Sequence, residues 1–165
     1  MAEREPWLRG PLPGVSPFLA PLLYSFQMAR EDLARHTEGL TREQLWLSPE
    51  GAAPVGFHIR HIGGSVERLM TYLRGAALSS SQLEELKTER EPGASREDLL
   101  ADLDRRLSEA ETAARAIPAE RLAEARTVGR QALPTTVIGL LVHMAEHTQR
   151  HVGQAVTTAR IVRGR

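Results

Sequence analysis

The chain has 165 residues in which 21 basic side chains are balanced by 21 acidic ones. That is long enough for a domain with its own buried core, and it leaves no net field to draw nucleic acid or an anionic membrane. Cysteine is absent, which excludes disulfides, thiolate metal sites and a cysteine nucleophile together, so any bound metal must take nitrogen, oxygen or water. Aromatic residues are 4% of the chain, too few for a platform on which single-stranded nucleic acid could stack.

Residues 1–7 carry Glu3, Glu5 and Pro6 where a signal peptide needs a basic start and an apolar run. Charges interrupt every later apolar stretch before the roughly 20 residues that span a bilayer. A soluble, cytoplasmic protein is expected, with one domain over residues 1–165 and an irregular lead-in over 1–16. Residues 9–17 hold three prolines and two glycines, and Ser16-Pro17 resembles an N-cap followed by proline at the first helical position. Phe18, Leu19, Leu22, Leu23, Phe26 and Leu33 then recur with helical period opposite Arg30, Glu31, Asp32 and Arg35, giving a first helix that ends near Gly39. Thr41 and Gln44 form a capping-box pattern for a short turn around Leu45 and Trp46, stopped by Pro49 and Gly51.

A second helix is expected over residues 55–74, with Val55, Ile59, Ile62, Val66, Leu69 and Leu73 on one side. Gly63-Gly64 in its middle costs about 1 kcal/mol per glycine relative to alanine, which calls for a return: close approach of a neighbouring helix, or room for a metal pocket. Residues 79–93 are polar and read as a mixed loop or a short helix around residues 83–86. Ser95 caps a third helix with the stripe Leu99, Leu103, Leu107, Ala110, Ala114 and Ile117. Residues 118–134 link onward, with a short helical piece near Leu122, to a last helix over 135–162, roughly 40 Å long. No segment alternates with period two. Internal repeats, a glycine-rich phosphate loop and a Gly-x-Ser-x-Gly elbow are all missing from the sequence. Four long amphipathic segments without a sheet give an all-α fold, a four-helix bundle with short extra helical turns in its connections.

The chemistry concentrates in two places. His143, His147 and His151 follow one another at four-residue steps in the last helix, and each adjacent pair can share one ion, whereas His143 and His151 stand about 12 Å apart along the axis. The apolar side of that helix runs through Val137, Leu141, Met144, Val152, Ala155 and Ala159. It takes in His151, borders His147, and leaves His143 toward Glu146 and Arg150. In the second helix, His58 and His61 are three residues apart. The helical wheel leaves both available and puts His58 nearer the apolar stripe. One of them with His147 and His151 makes a three-nitrogen site with open positions, the composition of a catalytic rather than a closed structural centre, suited to zinc, nickel or iron. Glu67 is a weaker candidate for a general base and is better read as a salt-bridged surface glutamate; Glu146 is given no role.

Gly56-Phe57-His58-Ile59-Arg60-His61-Ile62 with Glu67-Arg68-Leu69, and far downstream His147-Thr148-Gln149-Arg150-His151-Val152-Gly153-Gln154, resemble the DinB-like (YfiT-like) superfamily of metal-dependent enzymes. The resemblance extends over residues 17–162. It implies a four-helix bundle holding a divalent metal, zinc or nickel first and iron as a further option, through one histidine of the second helix and two of the last. Carried over by position, the ligands are His61, His147 and His151, with His58 and His143 as flanking or supporting groups. The resemblance further implies a small-molecule substrate and a homodimer, with a transferase acting with a low-molecular-weight thiol as the leading activity. The thiol would arrive as cosubstrate, since the chain has none of its own. A hydrolase using metal-bound water, or a non-enzymatic dimeric helical module with a vestigial metal site, are the alternatives.

Overall fold

A computed structural model describes residues 4–164; residues 1–3 of the expected lead-in and residue 165 lie outside the described residues. Six helices follow in chain order: α1 (Ala20–Thr37), α2 (Arg42–Trp46), α3 (Val55–Leu73), α4 (Ser80–Thr88), α5 (Arg96–Arg115) and α6 (Val137–Arg163). Ahead of α6 stands a hairpin of two strands, β1 (Ala125–Val128) and β2 (Leu133–Thr136). The long helices α1, α3, α5 and α6 make the bundle: α6 packs on α1 and α3, and α5 closes the other side against the same two. Its centre is filled by Phe26 and Leu33 of α1, Ile59 and Ile62 of α3, Leu107 of α5 and Met144 of α6, all fully buried. Each contributes about 1.5–3 kcal/mol relative to an exposed side chain. Among the described residues no helix is long and apolar enough to cross a membrane.

The capping boxes form as the sequence predicts. Thr41 Oγ1 accepts from the Gln44 amide at 3.2 Å while the Gln44 side chain accepts from the Thr41 amide at 3.1 Å, and Ser95 pairs reciprocally with Asp98 at the start of α5. The first helix starts later than expected. Residues 16–19 turn on the Ser16 carbonyl, which accepts from the amides of Leu19 and Ala20, and α1 opens at Ala20 without a side-chain cap. Pro21 has no N–H to return to Pro17, so a helix begun at Pro17 would lack an early rung of its ladder.

Two connections carry more regular structure than expected. Of the two forms expected for residues 79–93 the structure has the helix, α4, longer than the turn around 83–86 and with its own capping box between Ser79 and Gln82. Residues 118–134 run from a single 3-10 turn at Ala119–Arg121, close to the helical piece expected near Leu122, into the hairpin. Its antiparallel register sets Ala125 against Thr136 and Val128 against Leu133. Strands of four residues, one of them carrying Pro134, are too short to show a period-two pattern. Arg126 fastens the hairpin to the bundle by donating to the carbonyl of Leu73 at 2.6 Å.

Candidate metal centre

The histidines meet where α3 faces α6. Pro54 is extended and leads directly into α3, so that the His58 amide makes the first helical bond, to the Pro54 carbonyl, at 3.2 Å; His61 follows one turn later. On the other side Thr136 caps α6 by accepting from the Gly139 amide at 3.1 Å, and the regular helix carries His147 and His151 to the same level.

Of the residues singled out from the sequence, His61, His147 and His151 each offer a nitrogen such that all three lie within 4.8 Å of one another. His61 Nε2 and His147 Nε2 are 3.0 Å apart, and the His151 ring centroid is 4.5 Å from that of His61 and 4.6 Å from that of His147. Two nitrogens on one tetrahedral ion with bonds of 2.0–2.1 Å stand about 3.3 Å apart, close to the observed separation. His58 is the most buried of the group, as the wheel expects, but its Nδ1 meets His151 Nδ1 at 2.9 Å and it is outside the converging set. His143 is exposed, 3.4 Å from Glu146.

The donor chemistry fits a cation. His61 Nδ1 is 2.6 Å from Glu89 Oε2. A carboxylate can only accept, so the ring proton belongs on Nδ1 and the Nε2 lone pair faces the other histidines. His147 Nδ1 is buried without a hydrogen-bond partner. Burial pushes His147 and His58 each down to about 4, with the charge of His61 adding to it, and burial together with His61 and His147 pushes His151 to about 3. His147 and His151, with His58 beside them, are therefore neutral at physiological pH, the state a ligand must have.

Glu89 is the group that sequence reasoning missed. It sits at the C-cap of α4 and is 2% exposed. Its Oε1 forms an ion pair with Arg68 Nη1 at 2.8 Å. Burial would raise its carboxyl, but the His61 hydrogen bond and the Arg68 charge outweigh that and hold it below the usual carboxylate range. Arg60, beside His61, donates to the carbonyls of Thr88, Glu89 and Glu91 at 3.1, 3.3 and 2.7 Å, and so pins the end of α4 over the site. Gly64 makes the room: a Cβ there would lie 2.7 Å from Glu89 Oε1 and 2.8 Å from Arg68 Nη1. Gly63 serves the other expectation, since a Cβ there would lie 3.0 Å from Arg106 Cδ of α5. The glycine pair thus admits a neighbouring helix on one side and the support of the histidine site on the other.

Glu67 has no part in this cluster. It pairs with Arg106, accepts from Gln82 at 3.2 Å, and lines a separate cavity with Thr71 and Arg74. Of the three converging histidines, His151 opens onto a cavity of about 850 Å³, which it lines with Phe57, His58, Arg90, Gln154 and Thr157.

Residues 25–155 match the family model of the DinB superfamily. No curated protein matches the chain. Among solved structures, a conserved protein from Enterococcus faecalis is similar with a TM-score of 0.72 and 18% identity, over 87% of this chain and 96% of the other. YfiT from Bacillus subtilis, a probable metal-dependent hydrolase with an unusual four-helix bundle topology, is similar with a TM-score of 0.67 and 16% identity, over 92% and 91%. At these identities the likeness is one of fold.

Proposed function

The chain belongs to the DinB superfamily, and on that footing we propose that it is a metal-dependent enzyme whose single divalent ion is held by His61, His147 and His151. The observation that carries this reading is the convergence of those three nitrogens within 4.8 Å, beside a cavity large enough for a small molecule. Three imidazole nitrogens suit zinc or nickel, and iron after them. A divalent ion held this way lowers the pKa of a thiol or water and supplies a nucleophile at neutral pH. The protein's own share is to hold His147 and His151 neutral, to fix His61 through Glu89, and to set His151 against His58.

For the reaction we favour transfer involving a low-molecular-weight thiol, which must come from outside because the chain has no cysteine. Hydrolysis is the second reading, supported by the likeness to YfiT. Elemental analysis of protein purified without chelator tests the metal: one ion per chain is expected, lost in His61→Ala and in His147→Ala. Metal well below one per chain and unaffected by either substitution would leave a non-enzymatic helical module. Thermal shift of the loaded protein against a panel of biological thiols then separates the two reactions, since a bound cosubstrate raises the melting temperature by mass action. Sedimentation velocity tests the homodimer that the family resemblance implies.

A further inference from the structure

The cavity beside the histidines is one-sided in charge. Arg90 and Arg150 line it and no carboxylate does, in a chain whose acids and bases cancel. The two arginines are differently engaged. Arg150 is paired with Glu146 one turn back on α6, whereas Arg90 lies with its guanidinium 4.9 Å over the ring of Phe57 and meets no carboxylate at ion-pair distance among the described residues. Phe57 is itself stacked 5.2 Å from His61 and stands edge-on 6.2 Å from His151, so one aromatic ring separates the guanidinium from the histidines. The charge of Arg90 also reaches His58, where it helps to hold the ring neutral.

Arg90 is exposed, and a surface arginine resting on an aromatic ring is common. What distinguishes this one is how its backbone is held. The residue before it, Glu89, is locked between His61 and Arg68, and Arg60 takes the carbonyls on both sides, those of Glu89 and Glu91. A guanidinium whose backbone is held on both sides and whose plane rests on a ring can receive an oxyanion through two parallel N–H donors.

We propose that the cavity receives a small organic acid: its oxyanion group is bound by Arg90, its apolar body lies against Phe57 and Ile161, and its other end reaches the histidine cluster at His151. This names the substrate class for the site proposed above and rests on that reading only for what happens at the histidines.

The test is isothermal titration of an isosteric pair, 4-phenylbutyrate and 4-phenylbutyramide, into zinc-loaded and zinc-free wild type, Arg90→Gln and Arg90→Lys. The acid should bind about tenfold more tightly than the amide, in line with a charge-assisted pair formed by one partner only. In Arg90→Gln the preference should fall to near unity, with the zinc content of that variant unchanged, while Arg90→Lys should keep part of it. A preference that survives Arg90→Gln, or a wild type that binds both compounds equally or neither, would overturn the proposal. Failure of the metal reading stays distinguishable: the protein would then not take up zinc, while the acid-over-amide preference at Arg90 would persist in the zinc-free arm.

Discussion

On α3, His61 is fixed from behind. Glu89 takes its Nδ1, Arg68 stands at ion-pair distance from the other oxygen of Glu89 though neither atom completes a hydrogen bond there, Gly64 leaves room for both, and Arg60 holds the end of α4 that carries Glu89. On α6 the arrangement is looser: His147 Nδ1 is buried without a partner, and His151 leans on another histidine, His58. One side orients its ring with buried charge, at a desolvation cost the ion pair must offset; the other relies on helical spacing and packing. If the proposed ligands hold a metal, the difference predicts that stability and metal affinity are joined on α3 and separable on α6, which can be checked from both directions.

Removing the buried carboxylate should have the largest effect. Glu89→Ala strands the Arg68 charge and should cost about 3–5 kcal/mol in denaturant unfolding, while metal affinity falls about 10–100-fold as for other lost partners of a ligating histidine. In the double variant Glu89→Ala/Arg68→Met most of the stability should return and the affinity should not. Recovery of both together would place Glu89 in the fold alone.

Acid should act through the rings that burial keeps neutral. His58, His147 and His151 sit at about 4, 4 and 3 in the folded protein against an ordinary value of 6.5. The unfolded chain therefore takes up protons near 6.5 where the fold does not. The contribution of these rings is complete above that pH and is lost as pH falls from about 6.5 toward 4. Melting temperatures of metal-free protein should decline across that window, and the decline should shrink in His151→Phe; equal slopes in both proteins would contradict the stated cause.

The glycine pair offers a finer cut. Gly64→Ala places a methyl group on the Glu89–Arg68 pair and should weaken metal binding several-fold, despite the roughly 1 kcal/mol that alanine gains in a helix. Gly63→Ala touches Arg106 instead and should leave metal affinity unchanged. Equal effects on affinity would mean that Gly64 does not act through Glu89. Smallest of all should be His143→Ala, because that ring is exposed, pairs with Glu146 and stands beside His147 without joining the converging nitrogens: metal content, affinity and melting temperature should stay close to the wild type.

The contrast between the two sides also marks what could be read from the residues. Periodicity sufficed for the long helices, and the four-residue step of His147 and His151 is visible because both belong to one regular helix. Choosing between His58 and His61 was beyond any wheel, since the more buried ring is not the one that meets His147; the family resemblance pointed to His61. Glu89 and Arg90 gave no signal, standing in a polar stretch that reads as a mixed loop or a short helix ending before them, and a glutamate is seldom expected to be buried. Their roles depend on how Arg60 and Gly64 dock α4 on α3, a tertiary matter. The hairpin escaped notice because four residues and a proline carry no period.

Zinc titration calorimetry on chelator-treated protein, across single alanine variants of His58, His61, His147 and His151, addresses the central claim most directly. One zinc per chain should bind to the wild type, binding should be lost in the variants of His61, His147 and His151, and it should persist with reduced affinity in His58→Ala. Loss in His58→Ala alongside full binding in His61→Ala would contradict the proposed centre of His61, His147 and His151.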